Sequence, residues 1–325
     1  SSIMPNYSGV WDLRQQGVAV KGGLWQALPA RGLFAGGYTG SGTNVIDFVV
    51  IDTTGNATDF GDLASASSSG GAFSSSTRGV FAGGYDTSRM DEIQYVTIAT
   101  EGNASDFGDL SAGRNNLAGL SNATRGVVGG GVSNSTANLD IMEYVTIAST
   151  GNMTDFGNLT VARFGDASFQ STTRGVWAGG EPSSGGGSNV IDYITISSAG
   201  NATDFGDLEA ILAGTSGLSN NTRGVVGSGW RGNAAYTNVM QYVTIASTGN
   251  TTDFGDLNNA YWFGGGGAAN TTRGLFAGGV NDGGRLNVID YITISSTGNA
   301  TDFGDLTVTR QQMYVGMVGG AHGGL

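Results

Sequence analysis

The sequence predicts an all-β fold, a single β-propeller of six four-stranded blades whose first blade is closed by a strand from the C-terminal end. Three observations predict it. A repeat recurs six times, each copy holds four strand-like segments without a helical period, and one segment per copy is built almost wholly of small residues. The pair Arg-Gly before an apolar run stands at Arg31, Arg78, Arg125, Arg174, Arg223 and Arg273, spaced by 47, 47, 49, 49 and 50 residues. The string DFGDL, once DFGNL, begins at Asp59, Asp106, Asp155, Asp204, Asp253 and Asp302, spaced by 47 and then by 49 throughout. Self-similarity at about 40–50 residues, with four strands per unit, is the signature of propeller blades.

Each element follows from local chemistry. The run RGVFAGG, ending at Gly84, is apolar and breaks on a Gly pair. The run Ile141 to Ile147 is rich in β-branched and aromatic residues and is closed by the turn residues Thr150-Gly151-Asn152. The DFGDL region supplies a further strand. The last segment of each unit, such as Gly70 to Ser76 or Gly264 to Asn270, is Gly, Ala, Ser, Thr and Asn with little else. Small residues suit the innermost position, where strands crowd around an axis. The copy that begins at Arg31 lacks such a segment before it, and Gln312 to Gly320 is expected to fill that place and remove an open edge. The division is therefore an N-terminal lead-in, 1–30, whose Trp11 and Trp25 pack on the disc or serve as an anchor, and the propeller, 31–325.

Composition narrows the function. Gly accounts for 59 of 325 residues, Cys is absent, and net charge is −12 with Lys21 the single Lys. No disulfide framework, thiol nucleophile or Cys-based metal site is possible, and the charge has the wrong sign for nucleic acid. No apolar run is long enough for membrane insertion, and the opening SSIMPNYSG has no signal-peptide pattern. Absence of an initiator Met is expected of a processed chain or a piece of a longer product. DFG occurs six times without the other parts of a kinase site and reads as a turn and strand.

The Gly pair after an apolar strand, the aromatic of the next strand (Phe48, Tyr95, Tyr144, Tyr193, Tyr242, Tyr291) and the aromatic with a following Leu are similar to kelch-type blades. Phe60 and Phe107 stand where kelch has Trp, and Gly131 and Ser228-Gly229 disturb the Gly pair. The wording of the repeats, with the lead-in YSGVWDL, resembles kelch-like tail-associated and virion-surface proteins of tailed marine bacteriophages. That resemblance implies a location on a virion surface or otherwise outside the cell, other virion proteins as partners, and membership of a larger assembly. Galactose oxidase, with related blades, needs several His and a Cys-modified Tyr for copper, whereas His322 is the sole His here.

The repeat Arg residues and the first Asp of each DFGDL read as scaffold, the Asp accepting hydrogen bonds from backbone amides or from the repeat Arg, which needs such an acceptor when buried. A second acceptor position holds Asp47, Gln94, Glu143, Asp192, Gln241 and Asp290, so acceptance of hydrogen bonds matters there more than charge. Asn56, Asn103, Asn152, Asn201, Asn250 and Asn299 each begin an Asn-X-Ser/Thr sequon. Turn chemistry accounts for them, and N-glycosylation is expected only in a glycosylating host.

The copies differ after the Gly pair and after DFGDL, and in a four-stranded blade both loops emerge on one face of the disc. That variable face collects Tyr38, Arg89, Arg114, Arg163, Phe164, Trp230, Arg231, Tyr236, Tyr261, Trp262, Arg285 and Arg310 as candidate ligand-binding residues. Aromatic and Arg side chains on loops dominate binding sites. The expected function is a non-enzymatic virion-surface module, of a phage tail or fibre, that binds a host glycan or another virion protein. No catalytic residue, cofactor or metal is expected. A purely architectural subunit is the alternative, and a propeller hydrolase or lyase is a further one.

Overall fold

The computed structural model describes residues 29–232, 235–263 and 267–314. These residues form six antiparallel sheets arranged as a six-bladed β-propeller, and no helix occurs among them. Blade 2 shows the pattern from axis to rim: inner strand Gly71–Ser74, second strand Arg78–Ala82, third strand Glu92–Thr97 and outer strand Ser105–Asp109. Blade 3 repeats it with Ala118–Ser121, Arg125–Gly129, Ile141–Thr146 and Thr154–Asn158, and blade 4 with Ala167–Gln170, Arg174–Ala178, Ser188–Thr195 and Thr203–Leu212. Blade 5 has Ser216–Ser219, Arg223–Trp230, Tyr236–Thr244 and Thr252–Tyr261, and blade 6 Ala268–Ala269, Arg273–Ala277, Val288–Thr293 and Thr301–Asp305. Blade 1 contributes Arg31–Ala35, Thr43–Val50 and Thr58–Ser67.

The lead-in with Trp11 and Trp25, Lys21, His322 and most of the predicted closing strand lie outside the described residues. What is described of that strand enters blade 1 at the axis. The Tyr314 N–H donates to Ala35 O at 3.2 Å, and its hydroxyl meets Ser67 Oγ at 2.5 Å and donates to Gly83 O at 2.9 Å. Met313 packs with Phe34 and Phe303.

The DFG string is a β-bulge. In blade 2, Ile93 pairs with Gly108 and Gln94 with Asp106, so Phe107 is the extra residue. Gly108 sits at φ 148°, and a Cβ there would lie 2.4 Å from Gly151 O of the next blade. Only Gly meets both demands. Phe107 turns inward, edge-on to Tyr95 at 5.9 Å, while Asp106 faces solvent.

Hydrophobic layers fill the gaps between blades rather than a central core. Phe73, Val80 and Phe107 of blade 2 pack on Val128, Val145 and Ile147 of blade 3, and equivalent layers recur around the ring. The inner strands approach too closely for bulk: a Cβ on Gly119 would lie 2.3 Å from Ala72 O. Serines tie their backbones together. Ser121 Oγ donates to Ser74 O and Ser219 Oγ to Gln170 O, each at 2.7 Å.

The turns between inner and second strands and between third and outer strands form the uniform face. Here each repeat Arg donates to a carbonyl of the next blade: Arg31 to Ile98, Arg78 to Ile147, Arg125 to Ile196, Arg174 to Ile245, Arg223 to Ile294, and Arg273 back to Ile51, at 2.8–3.2 Å. Each guanidinium also lies 4.2–4.5 Å from the ring centroid of its own blade's third-strand aromatic. This corrects the expected Arg–Asp pairing. Asp59, Asp106, Asp155, Asp204, Asp253 and Asp302 are exposed, because strand alternation sends the bulge Phe inward and its preceding Asp outward.

The sequon Asn residues make a second link at this face. Asn103 Oδ1 accepts from Asp62 N–H of the preceding blade, and Asn152, Asn201, Asn250, Asn299 and Asn56 do the same at 3.0–3.1 Å.

Candidate functional site

On the opposite face, the loop after each outer strand meets the second-to-third-strand loop of the next blade. Backbone bridges join Gln311 to Tyr38, Ser68 to Tyr85, Asn115 to Val132, Phe164 to Glu181, Ala213 to Trp230 and Trp262 to Val280. Both variable loops therefore share one face, as the topology requires. Nearer the axis, six left-handed residues form a belt: Ser69, Asn116, Gly165, Gly214, Phe263 and Gln312, with φ from 47° to 64°. Asn116 N–H donates to Ser69 O, Gly165 N–H to Asn116 O, and Thr215 N–H to Gly165 O. Phe263 N–H then donates to Gly214 O, Gln312 N–H to Phe263 O, and Ser69 N–H to Gln312 O, which closes the circle.

The aromatic residues concentrate where blades 5 and 6 meet. Trp230 and Tyr236 are cross-strand partners at the end of the blade 5 hairpin. Trp262 follows the outer strand and is bridged to Val280 of blade 6 by two backbone hydrogen bonds of 2.9 and 3.0 Å. Its ring lies 6.3 Å from Trp230, 6.4 Å from Tyr236 with planes 16° apart, and 4.1 Å from Phe263. All four rings are half-buried. Gly214 makes room for this cluster, since a Cβ there would lie 2.1 Å from Trp262 Nε1. Beside the cluster opens a groove of about 550 Å³ lined by Ala235, Tyr236, Ala260, Asn281, Asp282 and Gly283.

The other candidates separate into surface and interior. Arg285 and Tyr38 come together across the seam of blades 6 and 1, guanidinium 4.7 Å from the ring centroid. Arg89 is half-buried and donates to Asn115 Oδ1 at 2.9 Å, while Phe164 and Arg231 are half-buried in their loops. Arg114, Arg163, Arg310 and Tyr261 are corrections: they are buried and cannot meet a ligand at the surface. Arg114 pairs with Glu143 at 2.5 Å, Arg163 with Asp192 at 3.0 Å and Arg310 with Asp47 at 2.9 Å, each across a blade seam. Tyr261 lies in the interior, where burial pushes its phenol well above the ordinary value.

The residues at the second acceptor position do accept hydrogen bonds. Asp47, Gln94, Glu143, Asp192, Gln241 and Asp290 each take the backbone N–H of the residue after DFGDL in the preceding blade. Arg163 has a second acid beside it, Asp166, with Nε 3.6 Å from Oδ2. Burial pushes the Asp166 carboxyl up to about 7 against the pull of Arg163. Three interior elements escaped sequence reasoning: the left-handed belt, Asp166, and the coupling of the acceptor to the loop Arg. The last had a signal. Glu143, Asp192 and Asp47 face Arg114, Arg163 and Arg310, whereas Gln94 and Gln241 stand where the equivalent loop residues are Ser67 and Leu212.

Among the described residues, no group of His, Asp and Glu is placed to hold a metal ion. No protein-family model matches the sequence, and no curated protein matches it. The kelch and phage resemblance thus stands on the repeat wording alone.

Proposed function

We propose that this propeller is a non-enzymatic binding module that recognises its ligand through the variable face, with the aromatic cluster between blades 5 and 6 as its centre. The single observation that carries this reading is the gathering of Trp230 and Tyr236, cross-strand partners at the end of one hairpin, with Trp262 into a half-buried ring cluster whose Tyr236 lines an open groove. Large rings at a surface that differs from blade to blade are the usual anchors of recognition. The ligand is a host-surface glycan or another virion protein. The resemblance of the repeats to tail-associated phage proteins supports display on a virion, within a larger assembly.

Adsorption to host cells, or capture of isolated virion proteins, tests the reading. Trp230→Ala and Trp262→Ala are each expected to remove about 1–3 kcal/mol of binding, the range for one large apolar side chain. Ser247→Ala, in an exposed turn of the uniform face, is expected to bind normally. Loss of attachment in Ser247→Ala with normal attachment in both Trp variants would place the binding face on the wrong side.

A further inference from the structure

We infer that the groove between blades 5 and 6 is a subsite for one neutral pyranose ring of a glycan. The inference rests on the variable-face reading and narrows it to a ligand class. At about 550 Å³ the groove has the size of a small-ligand site. Ala235, Ala260 and Gly283 leave its walls free of bulk, and Tyr236 supplies an aromatic side. That ring is held from behind: Trp262 lies beside it at 6.4 Å with nearly parallel planes and is itself stacked on Phe263. A platform fixed before the ligand arrives spares the ordering cost of binding.

The polar lining points to hydroxyl groups. Asn281 Oδ1 accepts the N–H of Gly283 at 2.9 Å, and the same amide carries Nδ2 as a donor. Asp282 is exposed, and its carboxylate accepts only. A donor next to an acceptor suits adjacent sugar hydroxyls, while the C–H face of a pyranose packs on the tyrosine ring. Charge then selects among sugars. Among the described residues that line the groove, Asp282 is the single charged one. A sialylated, sulfated or phosphorylated ligand would place a second negative charge beside Asp282, and no cation stands among the described lining residues.

The test uses the whole chain against neutral oligosaccharides and their sialylated and sulfated counterparts, with titration of the best binder. Neutral glycans are expected to bind, with affinity that changes less than about twofold between low and high salt, since no ion pair is made. Tyr236→Ala and Asp282→Ala are each expected to weaken binding about tenfold or more, Tyr236→Phe to retain it, and all three to melt like the parent. Binding confined to acidic glycans, a stronger response in Asp282→Ala, or neutral binding indifferent to Tyr236→Ala would each overturn the subsite. So would silence of every glycan. The wider reading would survive any of these if Trp230→Ala and Trp262→Ala still abolished adsorption, and would fall with it if they did not.

Discussion

Arg114 and Arg174 carry the same guanidinium into different surroundings. Arg174 is half-buried, donates to Ile245 O and lies over Tyr193. Its replacement by Ala removes one charged hydrogen bond and one ring contact, and the expected cost is about 2 kcal/mol. Arg114 is 2 % exposed and faces a buried Glu143. Arg114→Leu strands that acid and is expected to cost about 3–5 kcal/mol in urea unfolding. The chain itself suggests the remedy, because Leu212 stands at the repeat position of Arg114 and Gln241 at that of Glu143. Adding Glu143→Gln to Arg114→Leu is expected to recover most of the loss, a coupling that a double-mutant cycle reads directly. A second test concerns pH. The Asp166 carboxyl rises from 3.8 to about 7 in the folded chain. Between those values the folded state keeps a proton that the unfolded state has released, so this residue makes stability fall as pH rises through the window. Relative to Asp166→Asn, the parent is expected to lose up to about 4 kcal/mol from pH 4 to pH 7, and a pH-independent difference would refute the assignment. None of these interior roles was legible from one copy of the repeat, because the same Arg serves surface or core according to what lies in the adjacent blade.

The strands were legible because their signals are local: β-branched runs, Gly pairs and the Thr-Gly-Asn turn lie within a few residues of what they specify. The left-handed belt was not. Its members are Ser69, Asn116, Gly165, Gly214, Phe263 and Gln312, which share a spacing and a backbone conformation but no side-chain chemistry. Bulky residues at such φ values carry strain that Gly lacks. Gln312→Gly is therefore expected to stabilise the fold by about 0.5–1 kcal/mol, net of the extra freedom Gly gains when unfolded, as thermal unfolding will show. Gly214→Ala works in the opposite sense. Its Cβ would press on Trp262, and the expected result is a shifted tryptophan emission and weakened adsorption with the propeller still folded.

Ring closure follows from the six copies, and the structure joins blade 6 to blade 1 through Arg273 and Ile51, Asp305 and Asn56, and Arg310 and Asp47. Ending the chain after Leu306 would leave Asp47 buried without Arg310 and would remove Tyr314 from between Ser67 and Gly83. The truncated chain is expected to aggregate or to lose its cooperative transition. A sharp melt at the parent temperature would show that closure does not depend on this segment. The belt has a consequence for how such a chain can change over generations. On the uniform face the blades are held by named side chains, asparagine amides and arginine guanidinium groups, and a substitution there breaks a seam. Across the other face the bridges and the belt join peptide groups, which every residue except proline supplies, while the buried Arg114, Arg163 and Arg310 and the left-handed positions stay constrained. Mutations at the remaining loop positions can rewrite that side without unpicking the circle, so the face on which the copies differ is also the one left free to diversify.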